Sequence, residues 1–319
     1  MALRDVVIIG GGLSGLVAAV ELEKANIDYT IIEVKPRFGG SIQSDTCEGF
    51  IMDKGAMAHQ IRDREGFESY LAEIGLSGSI VDVDKGILFK QGTQVLIDAL
   101  TKQINAPRMM RMAVSTLGEM YGANRFSICM ENGMLLDARA LIVASPARYT
   151  ERMFHTLNPE ISYKLLDYQY DNIVRVSCGY NRADAPTNTN KSPDNYAITS
   201  IHTTSQLERV PDVDKVLIQV GVRFDKDTGI STAIVDEVAS AMGWTQKSLV
   251  EQFSIWADAD PMMWRFPAHI ERLKDIRALL PDGIVLAGND YIQTTDAPRL
   301  DERITLAQES AHNIIDYLG

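Results

Sequence analysis

The chain is short of the residues that usually announce a reaction. It has three cysteines, Cys47, Cys129 and Cys178, far apart and in no C-x-x-C spacing. That excludes a disulfide frame and a thiolate metal site, and it fits a reducing compartment. Basic charge is in the minority, 31 Lys and Arg against 43 Asp and Glu, for a net charge of −12. A nucleic-acid partner is therefore not expected, and the acidity reads as a solvated surface. No apolar run approaches membrane-spanning length. The first strand begins too near Met1 to leave room for a signal peptide. Together these lead us to expect a cytoplasmic protein without a transmembrane segment. No nucleophile triad or metal cluster stands out, and His155, His202, His269 and His312 are scattered and read as structural. At 319 residues, 45% of them hydrophobic, the chain can bury one large or two interleaved domains.

What is present is concentrated at the N-terminus. Asp5 to Ile9 is a β-branched apolar run that ends in Gly10-Gly11-Gly12, followed by Leu13, Ser14 and Gly15 and a helical run from Leu16 to Lys24. Gly10, Gly12 and Gly15 make the G-x-G-x-x-G of a strand–turn–helix unit. The first glycine permits the tight turn, the second lets a diphosphate approach the backbone, and the third lets helix and strand pack closely. The phosphates then meet unpaired N–H groups at the positive end of the helix dipole. A second strand, Tyr29 to Ile32, ends in Glu33, at the distance of about twenty residues where an acid accepts ribose hydroxyls. An acid there disfavours a 2′-phosphate, and hence NADP.

Val34 and a short spacer lead to Arg37-Phe38-Gly39-Gly40-Ser41. With this segment the chain resembles the FAD-dependent amine oxidase superfamily, which includes protoporphyrinogen oxidases, phytoene-type desaturases and shorter renalase-like enzymes. In that family the glycines let the chain pass close to the flavin, and the first Arg lies by the diphosphate. Ser41 departs from the family, which more often has Arg. The resemblance implies that Gly10, Gly12, Leu13, Ser14, Gly15, Glu33, Val34, Arg37, Gly39, Gly40 and Ser41 hold FAD. It extends to Asp53-x-Gly55-Ala56, whose backbone would contact the flavin. By chain order alone, it extends to Val114 beside the adenine, where the plain reading is a core valine. At the far end, Gly288-Asn289-Asp290 corresponds to the family's Gly-Asp, Gly-Glu or Gly-Asn near the diphosphate or ribityl chain. Asn289 is the easier phosphate neighbour, because an acid there repels phosphate. Arg303 and Ile304 open a final helix whose positive end would face the flavin N1–C2=O edge; Asp301 and Glu302 also read as ordinary caps.

For secondary structure we expect helices over Arg62–Gly75, Gly92–Ile104, Ser231–Met242 and Thr245–Gln252. Strands are expected at Val81–Phe89 (a pair), Ile173–Tyr180, Tyr196–His202 and Lys215–Phe224, with a mobile polar loop at Ala183–Asn195. Arg125 to Leu136 reads as a hairpin around Asn132-Gly133, and Ala140–Ala144 as a buried parallel strand. The methionines at 109, 110 and 112 read as core filler. Trp264 to Pro267 resembles the family segment that returns to the flavin. The fold class is therefore α/β: a Rossmann-like FAD-binding domain with a central parallel sheet, over 1–60, 90–150 and 265–319, and an inserted α+β substrate-binding domain, over 61–89 and 151–264.

The implied function is a two-electron oxidation of a C–N or C–C bond in a small substrate, with hydride passing to flavin N5 and O2 as reoxidant. FAD would be non-covalent, since no cysteine follows Cys178. His59, Lys54 and Tyr291 are the candidates for catalytic side chains, with Lys215 and Lys226 as further lysines that would hold a water. The competing readings are an NAD(P)-linked dehydrogenase, against which Arg37-x-Gly39-Gly40 speaks, and a flavin-binding scaffold or sensor without turnover.

Overall fold

The computed structural model describes residues 3–319 except 85, 121, 123, 188–196 and 225–232, and not the side chains of 197 and 257–261. The opening unit forms as its spacing requires: β1 (Leu3–Ile9), α1 (Leu13–Lys24) and β2 (Tyr29–Glu33). In β1, Val6, Val7, Ile8 and Ile9 are all buried, because the parallel sheet is covered on both faces. α1 is buried nearly all round from Leu13 to Leu22. The sheet takes one side, and the final helix, Leu300–Leu318, packs on another with Ile304, Ala307, Ala311 and Ile314 in the same core.

The main sheet runs in the order 108–110, β2, β1, 135–143, 125–130, 114–120, and 284–286 also pairs with 135–143. The pairings of β1 with β2 and with 135–143, of β2 with 108–110, and of 135–143 with 284–286 are parallel. Strand Leu135–Val143 merges two elements that the sequence separates. Its first residues pair antiparallel with 125–130 across the Glu131–Gly133 turn, and its last pair parallel with Ile284–Leu286.

A second, antiparallel sheet has the order 197–204, 215–223, 170–181, 250–261. The expected helix Thr245–Gln252 is contradicted: strand Val250–Pro261 forms there and pairs with 170–181 from Val250 onward. Val250, Gln252, Ser254 and Trp256 alternate with outward residues, and that period of two outweighs local helix propensity. The described part of the other expected helix spans Ile234–Ala241, with residues 231–232 outside the described set. The expected loop Ala183–Asn195 lies largely outside it as well. Helices Ala147–Phe154 and Pro159–Leu166 were not anticipated. A small sheet of 58–59, 86–89 and 80–83, with helix Arg64–Glu73, packs Phe67, Leu71, Ile87 and Phe89 into the core that contains α1. Residues 61–89 thus share a core with the dinucleotide unit. No described helix is long and apolar enough to cross a membrane.

Candidate flavin and substrate site

The glycine turn separates close packing from open space. Gly10 has φ +109°, and a Cβ there would lie 2.7 Å from the Ala144 carbonyl oxygen. A Cβ on Gly15 would lie 1.9 Å from the Gly10 carbonyl oxygen. At Gly12 a Cβ would meet nothing nearer than Gly40 Cα at 4.0 Å, and no side chain caps the helix that begins beside it. Packing therefore demands two of these glycines, and the third leaves room in front of the helix N-terminus. Glu33, buried, accepts the Gly11 N–H at 2.7 Å and the Lys35 N–H at 2.7 Å, which fixes its carboxylate at the rim of the turn. Val34 points outward, 61% exposed.

The second loop docks on the first, with Gly39 N–H donating to the Gly11 carbonyl at 2.8 Å. Arg37 donates to the carbonyls of Phe38, Gly40 and Ile42. Its guanidinium braces the loop that carries Gly39, Gly40 and Ser41, a role that spacing alone does not reveal.

A cavity opens where this loop meets the second sheet. Ser41, Asp53, Gly55, Ala56 and His59 line it from the N-terminal segment and Arg303 from the start of the final helix; Ile173, Arg175 and Trp256 close it from the second sheet. Six residues singled out in the sequence thus come together, and the three from the sheet were not anticipated. His59 Nε2 lies 3.1 Å from Thr93 Oγ1. Burial pushes its pKa down to about 3, and the positive charges of Arg303, Arg209, His202 and Arg175 add to the effect, so the ring is neutral. Trp256 donates its indole N–H to the Lys54 carbonyl at 2.6 Å, and Lys35 Nζ lies 5.5 Å from the ring centroid.

Asp53 is the support beneath this wall. Its carboxylate takes the Thr93 N–H at 2.9 Å and the Ser44 hydroxyl, and lies 2.6 Å from Arg209 Nη1. Gln219 donates to the Asp53 carbonyl at 2.8 Å and accepts the Met57 N–H at 2.8 Å. Neither Arg209 nor Gln219 was singled out in the sequence. The signal for Gln219 was there: one amide inside the apolar strand Lys215–Arg223.

The other candidates fall elsewhere. Lys54 pairs with Asp45 at 2.7 Å and does not line the cavity. Tyr291 is buried and donates to the Ser145 carbonyl at 3.0 Å, which makes it core rather than active-site wall. Lys215 pairs with Asp212, and Lys226 lies outside the described residues. Asp290 accepts the Ala147 N–H at 2.6 Å and the Tyr170 hydroxyl, and burial raises its pKa. The neighbouring Asn289 Oδ1 is buried with no hydrogen-bond partner among the described residues, and Gly288 before it has φ +134°. Val114 and Ile304 are buried core residues, as are Leu13 and Ser14 at the start of α1. Glu302 accepts the Arg299 N–H at the start of the final helix, and Asp301 accepts the N–H groups of Arg62 and Asp63. Trp264 does not line the cavity; Trp256 does.

Residues 8–74 match the model of an NAD(P)-binding Rossmann-like domain. A stretch of 86 residues is 34% identical to "Probable polyamine oxidase 4" of Arabidopsis thaliana, over 27% of this chain and 17% of that protein. Another, of 53 residues, is 45% identical to "Probable flavin-containing monoamine oxidase A" of Dictyostelium discoideum, over 17% of this chain and 12% of that protein. A third, of 58 residues, is 41% identical to coproporphyrinogen III oxidase of Bacillus subtilis, over 16% of this chain and 12% of that protein. The match thus spans less than a fifth of each of these curated relatives. Among solved structures, a protein from Exiguobacterium sp. 255-15 assigned as a protoporphyrinogen oxidase superposes with TM-score 0.80 at 14% identity, over 99% of both chains. Putrescine oxidase bound to putrescine superposes with TM-score 0.74 at 13% identity, also over 99% of both. The fold is therefore the one these two oxidases share, and the resemblance read from Glu33 through Ser41 agrees with the relatives found.

Proposed function

We propose that this chain, which carries the fold of the amine and porphyrinogen oxidases, is an FAD-dependent oxidoreductase acting on a small molecule. The observation that carries this reading is a cavity in which Ser41, Gly55, Ala56 and His59 meet the start of the final helix and a sheet from the other half of the chain. A lone dinucleotide turn has no need of such a meeting. The site suits FAD on two counts: the space in front of Gly12 and the buried Asn289 Oδ1, which has no partner among the described residues. The turn Gly10–Gly15 would hold the diphosphate on backbone amides, Glu33 the ribose, and the Gly39–Ser41 loop and Asn289 the remainder. Val114 would lie by the adenine.

Bound non-covalently, FAD supplies two-electron acceptance at N5. The chain's own residues do the rest. Arg37 keeps the loop shaped, and Asp53 with Arg209 and Gln219 fixes the cavity wall. Arg303, near the start of the helix beginning at Leu300, lines the cavity, and the positive end of that helix would favour negative charge there. Neutral His59 accepts or relays a hydrogen bond without taking up charge near pH 7. A C–N or C–C bond is the one oxidised, and O2 is the final acceptor.

The NAD(P)-linked reading draws on the matched domain model, but it leaves the Gly39–Gly40 loop and the shared cavity unused. The mass of the ligand released from denatured native protein separates the two. FAD is expected, and NAD as the only ligand would overturn the proposal.

A further inference from the structure

Strand Ile284–Leu286 leads through Gly288, at φ +134°, into one short helical turn, Asn289–Tyr291. Two residues of that turn are tied into the protein. Tyr291 donates to the Ser145 carbonyl at 3.0 Å, and its own carbonyl takes Arg277 Nη2 at 3.0 Å. Asp290 is buried and accepts the Ala147 N–H at 2.6 Å and the Tyr170 hydroxyl. Asn289 differs from both: its Oδ1 is buried with no partner among the described residues.

The Asp290 contact is a helix cap supplied from far along the chain. Helix Ala147–Phe154 follows Pro146, which has no side-chain acceptor, and no residue at that position caps it. The Asp290 carboxylate meets the first N–H of the helix instead, where the dipole favours a negative charge. The second N–H, that of Arg148, donates to the Tyr170 hydroxyl oxygen at 3.3 Å. An acid and a phenol that bond each other thus hold the start of one helix. Tyr170 opens strand Tyr170–Asn181, whose Ile173 lines the cavity. Burial raises the pKa of Asp290, while the Tyr170 and Ala147 donors and the charges of Arg148 and Arg303 oppose the rise. Arg303 also lines the cavity, so this node stands within electrostatic reach of the cavity wall.

A cap alone needs only a local Ser, Asp or Asn. Here it comes from the residue next to Asn289, and it is shared with a strand of the second sheet. We infer that Asp290 and Tyr170 are positioning residues for FAD, which contact the protein rather than the cofactor and hold the turn so that the Asn289 amide faces it. A charge-assisted hydrogen bond is short and strong enough to fix such a turn. This inference rests on the flavin reading of the site.

The test is a double-mutant cycle on the whole chain, freed of ligand and titrated with FAD by calorimetry. The variants are Tyr170→Phe, Asn289→Ala and the two combined, with thermal unfolding of each ligand-free form. Tyr170→Phe is expected to weaken FAD about tenfold, the ratio of one hydrogen bond. In the Asn289→Ala background the same change should weaken FAD by about twofold or less, because the group it positions is gone. Asp290→Asn, which keeps an oxygen for the Ala147 N–H, carries the same cycle if Tyr170→Phe does not fold. Lower ligand-free stability with unchanged FAD affinity would make the node a cap and nothing more, and would overturn the inference. An equal loss of affinity in both backgrounds would overturn it too. A wild-type protein that binds no FAD fails the flavin reading itself, whereas one that binds FAD and gives either of those results fails only this inference.

Discussion

Arg209 Nη1 lies 2.6 Å from Asp53 Oδ2, and the two side chains are 0% and 1% exposed. Arg209 also donates to the carbonyls of Phe89 and Ile51, while Asp53 holds Thr93 and Ser44. Removing one member of a buried pair strands the other charge, at a cost of about 3–5 kcal/mol. Asp53→Asn and Arg209→Met should each lose stability of that order in urea unfolding, and the double substitution should lose clearly less than the sum. Additive losses would show that the pair does not act as a unit.

Gly15 and Gly12 should separate folding from binding. Gly15→Ala places a methyl 1.9 Å from the Gly10 carbonyl oxygen, an overlap that costs on the order of 1–3 kcal/mol or more. Gly12→Ala brings its methyl no nearer than 4.0 Å to Gly40 Cα, an unstrained contact, and should leave the melting temperature of the ligand-free protein nearly unchanged. It should nonetheless weaken FAD retention at least about tenfold, because the methyl occupies the approach of the diphosphate. Dialysis followed by thermal unfolding of both variants reads the two effects apart.

Asn289 should behave in the opposite sense. Its Oδ1 is buried without a partner among the described residues, and an unmet acceptor costs about 1–3 kcal/mol. Asn289→Ala should therefore hold or raise the stability of the ligand-free protein and lower FAD affinity. A loss of ligand-free stability would mean that the amide already serves the fold.

His59 sets a pH dependence whose sign follows from its environment. Its folded pKa, about 3, lies below the unfolded value of about 6.5, so the unfolded chain binds the proton first and stability falls as pH drops from about 6.5 toward 3. Above that window the contribution is complete. His59→Gln should flatten the slope of stability against pH between 6.5 and 4. An unchanged slope would place the titrating group elsewhere.

The dinucleotide half was readable in the chain because each part of it has a local cause. β-branched residues up to Ile9 make the strand, Gly10 and Gly15 are forced by contact, and Glu33 ends the next strand in the place a ribose-binding acid takes. The far wall was not readable. Arg175, Gln219 and Trp256 sit on three strands brought side by side by long-range pairing, and no local spacing links them. The helix expected at Thr245–Gln252 failed for the same reason, since the pairing of Val250–Gly179 and its neighbours decides that segment. Lys54 and Tyr291 were plausible by type and adjacency, yet Asp45 engages one and the core encloses the other.

The most direct measurement is FAD uptake by the purified protein, followed as the visible flavin spectrum after dialysis and repeated with Gly12→Ala. One FAD retained per chain, lost in that variant while the fold persists, is the predicted result. A wild-type protein that stays colourless when offered FAD, yet is fully folded, would contradict the account.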